Sequence, residues 1–199
     1  MKKLIYIRPS ADKGRVVIGV GDGDGVKRYT VSENLFESLE ASRGDELADA
    51  ALSEIEDADK RYRATKKALS LLSISDVSER GLVLKLRRAG YSREVAEAVA
   101  LEMMSHGYIN EKRQLSRLIL REANEKLRGK AQIIPRLVTK GYSVRNINEA
   151  LEELISSGEV SFSENARRLR EKMLPSDAGE DEVKKLLYKY GYGVSNFYD

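Results

Sequence analysis

Between Lys112 and Arg145 the chain places ten basic residues against two acids, Glu122 and Glu125, a local net charge of +8 in a protein whose total is +3. Lys112, Arg113, Arg117, Arg121, Lys126, Arg128, Lys130, Arg136 and Lys140 carry most of it. Ammonium and guanidinium groups crowded in this way neutralise phosphate or an acidic protein surface. The chemistry they support is binding rather than turnover. Arg113, Arg117 and Arg121 follow at i, i+4 and i+8, roughly opposite an apolar stripe of Leu115, Leu118, Ile119, Ala123 and Leu127. Like charges at that spacing repel by a few tenths of a kcal/mol per pair, so helix stability does not account for them. The plain alternative is a solvated helix face, but such faces usually mix signs. Tyr108 and Tyr142 are the only tyrosines near the segment, and Tyr142 has a structural use described below, so base-specific single-strand readout is not indicated.

Catalytic chemistry finds little to work with. There are no cysteines, and the single histidine, His106, stands one residue before a helix-ending Gly107, where capping is its expected role. No Gly-rich phosphate loop and no cluster of metal-ligating residues occurs, so neither an enzyme nor a cofactor is expected. The stretch Gly21-Asp22-Gly23-Asp24-Gly25 resembles a calcium loop only superficially: it lacks the later acidic ligand and lies between strand-like runs, where Asp-Gly makes a tight turn. Neither a run of about 18 apolar residues nor an apolar segment behind Met1-Lys2-Lys3 is present. No membrane contact is expected, and the cytoplasm is the expected address.

The elements that position the cations repeat. Leu82, Leu86, Gly90, Tyr91, Ser92, Val99, Met103 and Gly107 recur fifty-one residues later as Ile133, Leu137, Gly141, Tyr142, Ser143, Ala150, Leu154 and Gly158. A third copy supplies Val183, Leu187, Gly191 and Tyr192 before the chain reaches Tyr198-Asp199. Leu, three residues, Gly-Tyr is helix-stop chemistry: a left-handed glycine at C′ lets the tyrosine at C″ fold back on the leucine at C3. Ser92 and Ser143 then cap the following helix. With a preceding helix near 60–73, 111–128 and 163–173, each unit reads as a three-helix bundle. Helix-turn-helix pairs serve DNA binders and protein-binding repeats alike, so this pattern leaves both open.

The first residues differ. Leu4–Ile7, Val16–Val20 and Lys27–Val31 are β-branched or aromatic runs that predict a small antiparallel meander. Ser32 is placed to cap a short helix near 33–41, and Asp45 to cap one whose face carries Leu47, Ala51, Ile55 and Ala58. The acids Glu46, Asp49, Glu54, Glu56, Asp57 and Asp59 read as its solvated side. The expected class is mainly α, with tandem three-helix repeats behind an N-terminal meander. The expected division is 1–57 for the meander and its helices, 58–108 and 109–160 for two repeats, and 161–199 for a truncated third.

The chain resembles the RecX family. The residues that carry the resemblance are Leu137-Val138-Thr139-Lys140-Gly141-Tyr142, the link Tyr108-Ile109-Asn110-Glu111-Lys112-Arg113, the segment Arg128-Gly129-Lys130 with Ile133 and Leu137, and Gly44-Asp45-Glu46-Leu47 behind the meander. It departs from the family at Gln114, where an aromatic is usual, and at Ser78-Glu79-Arg80-Gly81, where Gly81 replaces a capping-box glutamate. Pro135 is expected in the first turn of its helix, where proline is tolerated. The resemblance implies a monomeric, non-enzymatic negative regulator of the RecA recombinase that lies in the groove of its filament on single-stranded DNA. It further implies inhibition of filament extension, ATPase, strand exchange and co-protease activity, in the setting of DNA repair, recombination and the SOS response. Single-stranded DNA is then a candidate direct contact of the basic face. A helical-repeat protein that binds nucleic acid without any recombinase is the alternative.

Overall fold

The structure, a computed structural model, describes residues 2–22 and 25–193. These fall into two compact units, one running to Ser73 together with Leu84–Ala100, the other made of Ile74–Val83 and the residues from Leu101 onward.

In the first unit β1 (Lys3–Pro9), β2 (Arg15–Gly21) and β3 (Val26–Ser32) form the antiparallel meander in the order β1-β2-β3. The β2–β3 register closes on Gly21 opposite Val26; Gly23 and Asp24 of the intervening turn lie outside the described residues. Ser32 caps α1 (Glu33–Ser38) by accepting the Leu35 N–H. Leu4, Ile18, Val20, Tyr29 and Val31 pack with Ile55 of α2 (Asp49–Ile74) in the core of this unit.

Two expectations are corrected here. Asp45 does not cap a helix, because residues 44–47 are drawn along the free edge of β1: the Leu4 N–H donates to Asp45 O at 2.9 Å, Gly44 to Leu4 O at 2.7 Å and Leu47 to Lys2 O at 2.9 Å. An unpaired strand edge competes for backbone groups that a helix start would otherwise use. Helix α2 therefore begins at Asp49, and it runs unbroken past residue 58 to Ile74. Nor are the acids of α2 all solvated. Asp59 is buried and accepts the Thr30 N–H at 2.8 Å, and Glu56 accepts the Tyr29 hydroxyl at 2.9 Å. Burial and that carboxylate push the Tyr29 phenol up to about 12. The other edge of the sheet is thus covered by side chains of α2.

The Gly-Tyr stops form as expected, in α3 (Glu79–Arg88), α6 (Lys130–Thr139) and α9 (Glu180–Tyr190). Gly90, Gly141 and Gly191 have φ of +94°, +95° and +86°. Tyr91, Tyr142 and Tyr192 donate to the carbonyls of Leu86, Leu137 and Leu187 at 3.2, 3.2 and 3.0 Å. Ser92 and Ser143 cap α4 (Arg93–Ser105) and α7 (Val144–Ser156) through the Val95 and Asn146 N–H groups. His106 is exposed, edge-on to the Tyr108 ring at 6.4 Å. Residues 194–199, with the end of the third copy, lie outside the described residues.

In the second unit α5 (Glu111–Leu120) passes into a π-helical turn, Arg121–Glu125, instead of continuing to 128. The Lys126 N–H reaches back to Arg121 O, and Leu127 then takes φ +51° while the Arg128 N–H closes on Glu122 O. A left-handed leucine costs about 1–2 kcal/mol. Burying its side chain, 5% exposed, gains about 1.5–3 kcal/mol and offsets that strain. Pro135 is the sixth residue of α6 rather than part of its first turn. The carbonyl it leaves without a donor is that of Ala131, which is exposed to water, so the usual penalty is small. Around these helices Ile119, Ile133, Leu137, Ile147 and Leu154 pack with Leu169 of α8 (Phe162–Met173) and Leu187.

The tyrosines of the second and third copies are both buried but end differently. Gln114, 4% exposed, accepts the Tyr142 hydroxyl at 3.0 Å, which accounts for an amide where an aromatic is usual. Fifty-one residues on stands the shorter Asn165, which bonds Asn124 and Arg168 instead, and the Tyr192 hydroxyl is buried with no partner among the described residues. Tyr142→Phe should therefore cost about 1–2 kcal/mol in urea unfolding, whereas Tyr192→Phe should be neutral or stabilising, because it removes an unpaired buried polar atom. Equal losses for the two would contradict the difference in their surroundings.

Candidate functional site

The repeats of the second unit meet through helix ends. At one joint the start of α3 faces the end of α6: the Ser78 hydroxyl donates to Lys140 O at 2.8 Å and accepts the Gly81 N–H at 3.0 Å. The Glu79 N–H is taken by Glu111 Oε1 at 3.0 Å, whose other oxygen accepts from Asn146 at 3.2 Å. The capping carboxylate missing from position 81 is supplied by the first residue of α5. Gly81 has a reason of its own, since a Cβ there would lie 2.9 Å from Ser78 Oγ and 3.0 Å from the backbone oxygen of Lys140, while a Cβ on the facing Gly141 would lie 2.8 Å from the Gly81 nitrogen. At the second joint the start of α6 faces the end of α9. There the Gly129 N–H donates to Tyr190 O at 2.8 Å, Ala131 to Gly191 O at 3.2 Å, and Gln132 Nε2 to Lys189 O. Donors at a helix N-terminus meet acceptors at a helix C-terminus, so each end satisfies the other.

These joints decide where the nine cations stand. The apolar stripe of α5 is buried as predicted, and of the nine only Arg128 is withdrawn from full exposure. Their charge is less free than the sequence suggests, because acids distant in sequence meet several of them. Arg117 Nη2 contacts both oxygens of Asp76 at 2.8 and 2.9 Å, and Lys112 meets Glu153 at 2.9 Å. Arg121 and Arg128 share Glu122, which the π turn carries inward, with the Arg121 contact at 3.9 Å. Lys130 stands 5.7 Å from the Phe162 ring centroid, within cation–π range. Arg113, Lys126, Arg136 and Lys140 are exposed with no acidic partner among the described residues. So is Arg80, which the sequence reading missed because it lies outside the basic segment and the joint carries it to the end of α6. The unusual Ser-Glu-Arg-Gly start of α3 was the signal available for it.

Leu86, Gly90, Tyr91, Leu137, Gly141, Tyr142, Leu187, Gly191 and Tyr192 form the helix caps: the glycine and tyrosine N–H groups and the leucine carbonyls bond within them, and Gly191 O also accepts the Ala131 N–H at the second joint. Among the described residues no group of three or more acids or histidines is placed to hold a metal ion, and no helix is long and apolar enough to cross a membrane.

Fold and site together define a tandem helical-repeat protein with a cation-rich second unit. No family model matches the chain. Its sequence is 29% identical over 165 residues, 83% of this chain and 76% of the other, to the regulatory protein RecX of Clostridioides difficile (strain 630). Its fold matches a crystal structure of regulatory protein RecX with a TM-score of 0.72, covering 99% of this chain and 97% of that one at 23% identity. RecX from Lactobacillus salivarius matches with a TM-score of 0.60 over 70% of this chain and 93% of its own, at 18% identity. The RecX resemblance read from the repeats is borne out by this likeness of sequence and of fold.

Proposed function

We propose that this protein is a negative regulator of a RecA-type recombinase, acting on the filament that the recombinase forms on single-stranded DNA. The observation that carries the reading is the RecX match along 83% of the chain. The exposed Arg80, Arg113, Lys126, Arg136 and Lys140, with no acidic partner among the described residues, supply cations for DNA phosphate or an acidic recombinase surface. The protein would limit filament extension and thereby the ATPase, strand exchange and co-protease activity that depend on it, without chemistry of its own.

Recombinase ATPase on single-stranded DNA, measured with the protein at a substoichiometric ratio, tests this directly. Inhibition is expected, and its absence would overturn the reading. The same unpaired cations favour a second reading, in which the protein binds nucleic acid with no recombinase. Binding to a bare oligonucleotide as tight as to the filament at physiological salt would select it. In either case the variant Arg113→Glu, Arg136→Glu, Lys140→Glu should bind less tightly. The slope of log affinity against log salt should flatten by about 0.7 for each single-strand phosphate that the variant no longer neutralises.

A further inference from the structure

We propose that Asp76 is a built-in competitor for the polyanion: it occupies Arg117 in the free protein and yields it to phosphate, so it limits how tightly the basic face of the second unit binds. The inference rests on the reading above, that this face takes a polyanion. Asp76 lies in the connection between α2 and α3, just before the joint that brings Ser78 to Lys140 and Glu79 to Glu111. It thus reaches α5 from a segment that also touches the end of α6. The exposed Arg80 and Lys140 flank this segment, and Arg113 lies one turn before Arg117 on α5. An anion placed there is attracted by several cations at once, and Asp76 is the anion that holds Arg117.

The pairing is built to be exchanged. Both Asp76 oxygens sit on Nη2 alone, so Nε and Nη1 of Arg117 have no partner among the described residues. A paired carboxylate or phosphate can use two nitrogens of the fork, which is the stronger arrangement. The side chains are 35% and 56% exposed, so separating them returns the Asp76 carboxylate to water at little cost. Glu122 differs: at 11% exposure it would be stranded as a buried charge if Arg128 left. Arg117 is therefore releasable while Arg128 is fixed.

A double-mutant cycle on the full chain tests this, with wild type, Asp76→Asn, Arg117→Gln and the double variant titrated into a fluorescent oligothymidylate at low and physiological salt. Asp76→Asn should tighten binding by about three- to fivefold at low salt, the scale of one exposed ion pair. In the Arg117→Gln background the same change should alter affinity by less than about 1.5-fold. A gain of equal size in both backgrounds would reflect general charge removal and would overturn the inference, as would no gain in a wild type that binds. Failure of all four chains to bind would overturn both this inference and the polyanion reading beneath it. Circular dichroism melts of the four chains establish that each is folded.

Discussion

Gly129→Ala should lower the unfolding free energy by about 2–4 kcal/mol, although nothing in the local backbone of Gly129 forbids alanine. Its φ of −81° and ψ of 168° are ordinary extended values. At a helix N-cap the exchange of glycine for alanine, by itself, costs up to about 1 kcal/mol. The remainder comes from the facing helix: a Cβ at 129 would overlap the carbonyl oxygen of Gly191 and lie 2.6 Å from the Tyr192 nitrogen. Both obstacles are backbone, so no side chain can rotate away. The joint has to open, and the Gly129 and Ala131 hydrogen bonds to the end of α9, each worth about 1 kcal/mol net, are weakened together with the packing of Leu187 and Tyr192. Gly179 is the internal control. It caps α9 with φ −67° and ψ 156°, also without a side-chain hydrogen bond, but a Cβ there meets nothing within 4 Å. Gly179→Ala should cost less than about 1 kcal/mol. Urea unfolding of both variants, with amide exchange at Gly129 and Ala131, separates the two contributions. Similar losses at 129 and 179 would mean that the joint contributes nothing.

The contrast between these two glycines also marks what a sequence can and cannot disclose. Features that depend on neighbours along the chain were legible: the three Gly-Tyr stops, the Ser92 and Ser143 caps, the buried stripe of α5 and the meander all follow from local spacing. Features that depend on which helix end meets which were not. Gly81 looked like a lost capping box and is a contact surface for Gly141, while Glu111 caps the helix thirty-two residues earlier. The candidate site was half legible for the same reason. Composition located the cations, but Asp76 and Glu153 reach Arg117 and Lys112 only through the tertiary fold, and Arg80 joins from outside the segment. Asp45 failed as a cap because strand-edge pairing won its backbone, an outcome decided by residues 2–4. Local chemistry fixes helix ends, and long-range pairing decides which ends and charges remain free.

The acids of α2 give the second large effect. Thr30 lies on β3, an outer strand of the meander, and its N–H would be unsatisfied if the Asp59 carboxylate did not accept it at 2.8 Å. Thr30 is 8% exposed and Asp59 5%, so water does not readily replace either partner. Arg63 Nε completes the arrangement at 2.7 Å from the carboxylate, and its Nη2 donates to Arg28 O at 3.1 Å, a second tie between α2 and β3. Removing the carboxylate leaves a buried backbone donor and a guanidinium with half its partners. Asp59→Ala should therefore cost about 2–4 kcal/mol, where an exposed acid of the same helix such as Asp57 would cost less than about 0.5 kcal/mol. Asp59→Asn keeps an acceptor for Thr30 but loses the charge, and should fall between, at about 1–2 kcal/mol. Hydrogen exchange at the Thr30 amide distinguishes local from global loss: it should quicken more in Asp59→Ala than the exchange of central β2 amides such as Ile18. An Asp59→Ala protein whose stability and Thr30 protection match wild type would show that the Asp59 carboxylate contributes nothing, and that Ile55 with the Glu56 and Arg63 contacts suffices to hold α2 on the sheet.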